Sequence, residues 1–106
     1  MHVLVIEGGF KQGKKDEFVK AWADQLLPTL KKQPGFVDEI LLSGNDPQEG
    51  AGLSFWKSKA DAERYQREVF PLQVEKVKQF LSGSPSIRSF NVEAAETFRV
   101  FAGKAA

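Results

Sequence analysis

The sequence predicts an α+β fold of the ferredoxin-like kind, with the element order β-α-β-β-α-(α)-β. Three observations predict it: a helical pattern stops at a Pro-Gly pair, two short apolar runs flank a turn cluster, and a capped second helix follows at once. In this fold four antiparallel strands form one sheet, and the helices cover one of its faces. We therefore expect a single domain over 1–102 and a frayed tail over 103–106.

The first strand and the first helix follow from hydrophobic periodicity. His2 to Phe10 contains a continuous apolar run, which is typical of a strand buried on both faces. From Lys14 to Lys32 a large apolar side chain recurs at every fourth position, beginning with Phe18 and Trp22, and this spacing indicates an amphipathic helix. Pro28 removes one backbone hydrogen bond, so we expect a kink in the last turn.

A hairpin and a second helix come next. Phe36 to Ser43 is predicted as the second strand and Leu53 to Lys57 as the third. The turn residues between them, with Gly50 and Gly52, predict a mobile loop longer than a two-residue turn. Ser58 then stands at the N-cap position of the second helix.

The last third of the chain supplies a third helix and the closing strand. We expect Pro71 at the first position of the third helix, because its fixed φ suits that position. The stretch from Ile87 to Phe101 is rich in Phe and Val and predicts one long strand, or a strand with an extension.

The second face of the sheet is predicted to be buried. The second strand carries apolar residues on both faces, with Val37 and Leu41 on one and Phe36, Ile40 and Leu42 on the other. An antiparallel sheet with one face in water would alternate more cleanly. We therefore expect a homodimer that buries this face in a self-complementary interface, with the last strand reaching across.

Composition excludes several classes of partner. The net charge of +1, from 15 basic and 14 acidic residues, argues against nucleic acid. The lack of cysteine excludes disulfide and thiol chemistry, and a single histidine argues against a transition-metal site. The N-terminal M-H-V-L-V-I-E does not have the form of a signal peptide, and no apolar run reaches the roughly 18 residues of a membrane span. We expect a cytoplasmic protein without a metal, a nucleic-acid partner or a membrane anchor.

Aromatic side chains are candidates to line a ligand pocket between the helices and the sheet. Phe18, Trp22, Trp56 and Tyr65 could stack against a flat aromatic ligand, with the Tyr65 hydroxyl or an indole N–H as the polar handle. Aromatic residues at helical spacing are more often part of the core, so core packing is the alternative for each of them.

Four polar residues are candidates for chemistry. Glu7 lies in an apolar strand: pointing inward it would be a base with a raised pKa, and pointing outward it would be merely solvated. His2 could act as a base near neutral pH, or be a solvated strand end. Arg88 could pair with a phenolate and Asn91 could donate a hydrogen bond, and the alternative for both is an exposed or interface position.

Three short motifs link the chain to a known family. They are Lys11-Gln12-Gly13-Lys14 before the first helix, Gln33-Pro34-Gly35-Phe36 after it, and Ser54-Phe55-Trp56-Lys57-Ser58 before the second. With Phe18, Trp22, Ala60, Ala62 and Tyr65, these motifs make the chain from about Val3 to Val92 similar to the antibiotic biosynthesis monooxygenase family. The resemblance implies a small dimeric α+β barrel.

The resemblance also implies a function. It indicates a cofactor-independent monooxygenase or quinol oxidase for a small aromatic substrate, with Glu7, Tyr65 and His2 as catalytic candidates and no cofactor. The alternative is a non-catalytic dimeric module of the same fold, either one that binds a small ligand or a stress-related protein. The haem-degrading branch of the family uses an Asn on the first strand, a Trp on the second helix and a His further along the chain. This chain has Glu7 in place of the Asn, Tyr65 in place of the Trp and no histidine after Tyr65, so the resemblance disfavours haem degradation.

Overall fold

The computed structural model describes residues 1–101 and the backbone of Lys104–Ala105. Within this part of the chain the first four strands form one antiparallel sheet in the order β2-β3-β1-β4. These strands are β1 (His2–Gly9), β2 (Phe36–Ser43), β3 (Glu49–Trp56) and β4 (Ser86–Asn91). The predicted ferredoxin-like α+β fold is confirmed.

The first helix is divided into three segments, and the kink expected at Pro28 stays a prediction. They are α1 (Lys15–Ala21), a π-helical segment (Trp22–Leu26) and α2 (Leu27–Lys31). Pro28 stands in the first turn of α2 and cannot donate a backbone hydrogen bond. A π-helical turn just before it shifts the hydrogen-bond register, which accommodates the missing donor within a continuous helix.

Three helical segments follow β3. They are α3 (Lys59–Glu68), α4 (Phe70–Val77) and a 3₁₀ turn (Lys78–Phe80). The predicted cap is confirmed, because the Ser58 hydroxyl accepts a hydrogen bond from the Asp61 backbone N–H at 3.1 Å. Pro71 is the second residue of α4, one position later than predicted. Among the described residues no helix is long and apolar enough to cross a membrane.

Two glycines predicted to lie in a mobile loop belong to β3 instead. Gly50 pairs with Gly8, and Gly52 pairs with Ile6. A Cβ on Gly50 would lie 2.7 Å from the ring of Phe10, so the close approach of that ring requires glycine there. The prediction was wrong because glycine commonly marks a turn, whereas here it makes room under an aromatic ring.

The main core lies between the sheet and the helices. It consists of Leu4, Leu30, Trp56, Ala62 and Tyr65, which are buried. Trp56 is fully buried, packs edge-on against Phe36, and donates its indole N–H to the Ser54 hydroxyl at 3.0 Å. The indole N–H at the centre of the core therefore has a hydrogen-bond partner.

After Asn91 the chain leaves the main sheet. It forms a small second sheet from β5 (Ala94–Ala95), β6 (Val100–Phe101) and β7 (Lys104–Ala105). Phe98 packs on Phe55 with ring centroids 4.7 Å apart. The last strand is thus a short one with an extension. The tail expected over 103–106 stays a prediction, since Gly103 and Ala106 lie outside the described residues.

The face of the sheet opposite the helices carries a half-open apolar patch. Val3 pairs with Phe55 on one side and Phe90 on the other, so their side chains share this face. Ile40 and Leu42 also point to it and are 40% and 48% exposed. We call this surface, which these five residues define together with Val5 and Leu53, the open face.

Candidate active site

A cavity of about 320 Å³ lies between the helices and the main sheet. Its walls are mostly apolar, and Ile6, Phe10 and Leu41 are among the residues that form them. This volume is at the lower end of the roughly 300–1,000 Å³ of small-molecule pockets. The cavity therefore has room for a small aromatic compound.

One face of the first helix forms a wall of the cavity. Phe18 on α1 lines it, followed by Trp22 and Leu26 at the two ends of the π-helical segment. Phe18 packs on Phe10 with ring centroids 5.0 Å apart. Single π-helical turns occur frequently at functional sites, and this one sets the position of the Trp22 indole.

A carboxyl group, that of Glu39 on β2, lies in the apolar wall. The Trp22 indole N–H donates a hydrogen bond to Glu39 Oε2 at 3.1 Å. Burial raises the pKa of Glu39 to about 7, the Trp22 hydrogen bond acts in the opposite direction, and the charge of Asp38 adds to the increase. Glu39 is therefore divided between its neutral and ionised forms near neutral pH.

A β-bulge turns Glu39 toward the cavity. The pairing of β2 with β3 slips by one residue between Phe36 and Asp38. As a result Phe36 and Glu39 both face the helices, although three positions separate them, and Asp38 faces the opposite side. Without the bulge, strict alternation from Phe36 would send the Glu39 side chain away from the cavity.

Tyr65 on α3 supplies a hydroxyl group to the same cavity. It is 4% exposed, and its ring stacks on Trp56 with centroids 4.8 Å apart. Burial and then the nearby charge of Glu39 raise the pKa of Tyr65, while a hydrogen bond with the Gln73 side chain acts against them. Tyr65 consequently keeps its proton at neutral pH and can donate it in a hydrogen bond.

Gln73 on α4 connects the two helices that line the cavity. It is 3% exposed, and its side-chain amide donates to the Leu26 carbonyl at 3.0 Å. Since Leu26 ends the π-helical segment, Gln73 holds the turn that carries Trp22. The amide thus joins α4 to the helix that carries Trp22, the hydrogen-bond partner of Glu39.

The structure brings together three of the aromatic candidates. Phe18, Trp22 and Tyr65 line the cavity. Trp56 does not line it; it lies behind the Tyr65 ring in the core and supports that ring. For Trp56 the core alternative therefore describes its place in the structure.

The four polar candidates lie outside the cavity. Glu7 is exposed, and its pairing with Ala51 and Ser86 places it on the side of the open face. Arg88 stands over the Phe90 ring at 5.0 Å on the same side.

His2 and Asn91 form a separate pair at the far end of the sheet. The His2 Nδ1 donates to Asn91 Oδ1 at 3.0 Å, and His2 is 3% exposed. Its Nε2 has no hydrogen-bond partner among the described residues. The pair does not line the cavity.

Sequence reasoning missed Glu39 and Gln73. Gln73 had a detectable signal, because it lies four residues before the buried Val77 on the same face of α4. For Glu39 no sequence signal indicated an inward orientation, since no residue pattern identifies the bulge that turns its side chain toward the cavity. In the described part of the chain no group of three His, Asp or Glu side chains could hold a metal ion.

Comparisons with known proteins agree with this architecture. The sequence model of the antibiotic biosynthesis monooxygenase family matches residues 1–80. No curated protein matches the sequence. Among solved structures, a protein of unknown function from Nitrosomonas europaea, NE2512, superposes with a TM-score of 0.74 at 17% identity, covering 90% of this chain and 91% of that chain.

Two oxygenases are also similar in structure. The ActVA-Orf6 monooxygenase of Streptomyces coelicolor, in complex with nanaomycin D, has a TM-score of 0.70 at 16% identity, covering 89% of this chain and 88% of that one. SnoaB, a cofactor-independent oxygenase from Streptomyces nogalater, has a TM-score of 0.70 at 18% identity, with 90% and 96% covered. At these identities the likeness concerns the fold.

Proposed function

The chain belongs to the antibiotic biosynthesis monooxygenase family, and on this basis we propose that it is a cofactor-independent monooxygenase or quinol oxidase of a small aromatic substrate. The observation that carries the proposal is the carboxyl group of Glu39. It lies in an apolar cavity, receives a hydrogen bond from Trp22, and has a pKa of about 7. A group with this pKa is suited to accept a proton at neutral pH.

The proposed reaction begins with proton transfer to Glu39. The ionised carboxylate takes the phenolic proton of the substrate, which leaves a phenolate and a neutral carboxylic acid. The phenolate then gives one electron to O₂, which yields a phenoxyl radical and superoxide. Their recombination forms a carbon–oxygen bond and a peroxide anion, which takes the proton back from the neutral Glu39 carboxyl group. Loss of water from the resulting hydroperoxide gives a quinone. For a naphthol the balance is naphthol plus O₂ to naphthoquinone plus water.

A quinol would follow a shorter route with the same base. It would lose two protons and two electrons to O₂, which gives the quinone and hydrogen peroxide. In both routes the protein supplies a dry cavity and a base, because ionisation of the phenol is the step that makes electron transfer to O₂ favourable. Tyr65, neutral at this pH, would donate a hydrogen bond to the phenolate oxygen.

Oxygen uptake tests the proposal. Purified protein is incubated with a panel of naphthols and quinols, and O₂ consumption is followed with an electrode. We expect uptake above the buffer rate for at least one compound, with large losses in Glu39→Gln and Tyr65→Phe. The Glu7→Gln variant tests the other carboxylate, which is exposed. Uptake lost in Glu7→Gln and kept in Glu39→Gln would overturn the assignment of the base.

The non-catalytic module is the competing outcome. If the panel binds without consuming O₂ above the buffer rate, the protein is a ligand-binding module and the enzymatic proposal fails. Binding is measured separately, by quenching of the tryptophan fluorescence, because Trp22 lines the cavity and the buried Trp56 does not.

We also propose that the protein is a homodimer joined through the open face. Ile40, Leu42 and Phe90 on this face are 40%, 48% and 42% exposed, and contiguous apolar surface of this kind marks interaction sites. A symmetric dimer would bury the same patch on both copies. Light scattering should give a molar mass of about twice the 11.8 kDa of one chain. The mass of a single chain at micromolar concentration would contradict the dimer.

A further inference from the structure

We propose that Lys15 binds an anionic substituent of the substrate, so that the substrate class is a hydroxylated aromatic acid. The inference rests on the proposed function, because it extends the same cavity. Lys15, at the start of α1, contributes to the lining and is half-buried. It is the one cationic residue among the side chains that line the cavity in the described part of the chain.

Lys15 differs from its neighbours in its contacts. Lys14 forms an ion pair with Glu17 at 2.9 Å, and Lys20 forms one with Asp24 at 2.8 Å. Within the described residues no acidic side chain lies within 4.0 Å of the Lys15 ammonium group. A half-buried lysine in an apolar wall keeps its stem against the wall and its ammonium group toward water. Its charge is therefore available to a ligand in the cavity.

The cavity has opposite charge preferences at its two ends. Lys15 lies seven residues before Trp22 on one helix face, a separation of roughly 10 Å at about 1.5 Å per residue. Trp22 contacts Glu39, whose carboxylate repels an anion but accepts a phenolic proton. An aromatic acid would therefore enter with its carboxylate at Lys15 and its hydroxyl at Glu39.

This arrangement also fixes the orientation of the ring. A ligand with a hydroxyl group at one end and a carboxylate at the other is held at both, across a cavity whose remaining wall is mostly apolar. An ion pair next to an apolar wall is less screened than one in open solvent, so it contributes more to binding there.

Anaerobic binding measurements test the inference without turnover. A naphthol is compared with a hydroxynaphthoic acid that carries the two groups at opposite ends of the ring system, by calorimetry with O₂ excluded. We expect the acid to bind at least about tenfold more tightly, as charge-assisted hydrogen bonds do. Added salt should weaken binding of the acid and leave the naphthol unchanged.

Three variants localise the effect. Lys15→Met keeps the stem and should abolish the preference, Lys15→Arg should keep it, and the matched control Lys14→Met should keep it too. A preference for the acid that survives in Lys15→Met, or no such preference in the unaltered protein, would overturn the inference.

The two proposals fail separately. If O₂ is taken up with the naphthol but the acid is not bound more tightly, only the Lys15 inference is wrong. If the acid is bound more tightly but no compound of the panel causes O₂ uptake, only the proposed function is wrong.

Discussion

Replacement of Glu39 by glutamine should stabilise the folded protein above neutral pH. The carboxyl group has an ordinary pKa of 4.5 and a pKa of about 7 in the folded protein. Because the folded state binds the proton more tightly, stability falls as the pH rises from about 4.5 through 7. At about 1.4 kcal/mol for each factor of ten in proton affinity, the upper bound of this loss is between about 3 and 4 kcal/mol. Glutamine keeps an acceptor for the Trp22 indole and removes the charge.

Urea denaturation from pH 4 to pH 8.5 measures the effect at a fixed protein concentration. The unaltered protein and Glu39→Gln should have similar free energies of unfolding at the acid end, and the variant should gain progressively until the difference levels off above pH 7. The matched control is Glu63→Gln on α3, where the side chain is 53% exposed and lies away from the open face, and its effect should stay within about 0.5 kcal/mol at every pH. An effect of Glu39→Gln that does not change with pH would refute the reasoning about burial.

Three further predictions concern the surroundings of the site and the fold. Trp22→Phe removes the hydrogen bond that lowers the pKa of Glu39, so the midpoint of the pH–rate profile should move up by about one pH unit. Gln73→Leu leaves a buried carbonyl group without its partner, and urea denaturation should show a loss of about 1–3 kcal/mol. Gly35→Ala should destabilise more than Gly13→Ala. Both glycines have positive φ, but only at Gly35 does a Cβ collide with a carboxylate on α3. Equal losses in thermal unfolding would contradict that account.

Local chemistry made much of the fold predictable. The second strand was predicted over the residues that form it, Phe36 to Ser43, and the Ser58 cap was predicted at its position. Both signals are local: apolar residues bounded by turn formers, and a hydroxyl at a helix start. The local signal gave a wrong prediction for Gly50, which was assigned to a loop but lies in β3, where it leaves room for the Phe10 ring.

The site was only partly predictable. Phe18, Trp22 and Tyr65 line the cavity, and hydrophobic spacing on the helices placed them among the candidates. The polar candidates Glu7 and Arg88 lie on the other side of the sheet. Side-chain alternation along a strand allows either face, so composition alone could not choose between them.

By itself, the sequence determined the order of the elements, the family and three aromatic residues of the cavity wall, Phe18, Trp22 and Tyr65. Only the tertiary structure decided which carboxyl group lies inside. A bulge between Phe36 and Asp38 moves Glu39 to the helix side of the sheet, beside the Trp22 indole. The reason is physical: a one-residue slip in strand pairing reverses the direction of every later side chain in the strand, and that slip depends on contacts between strands distant in sequence.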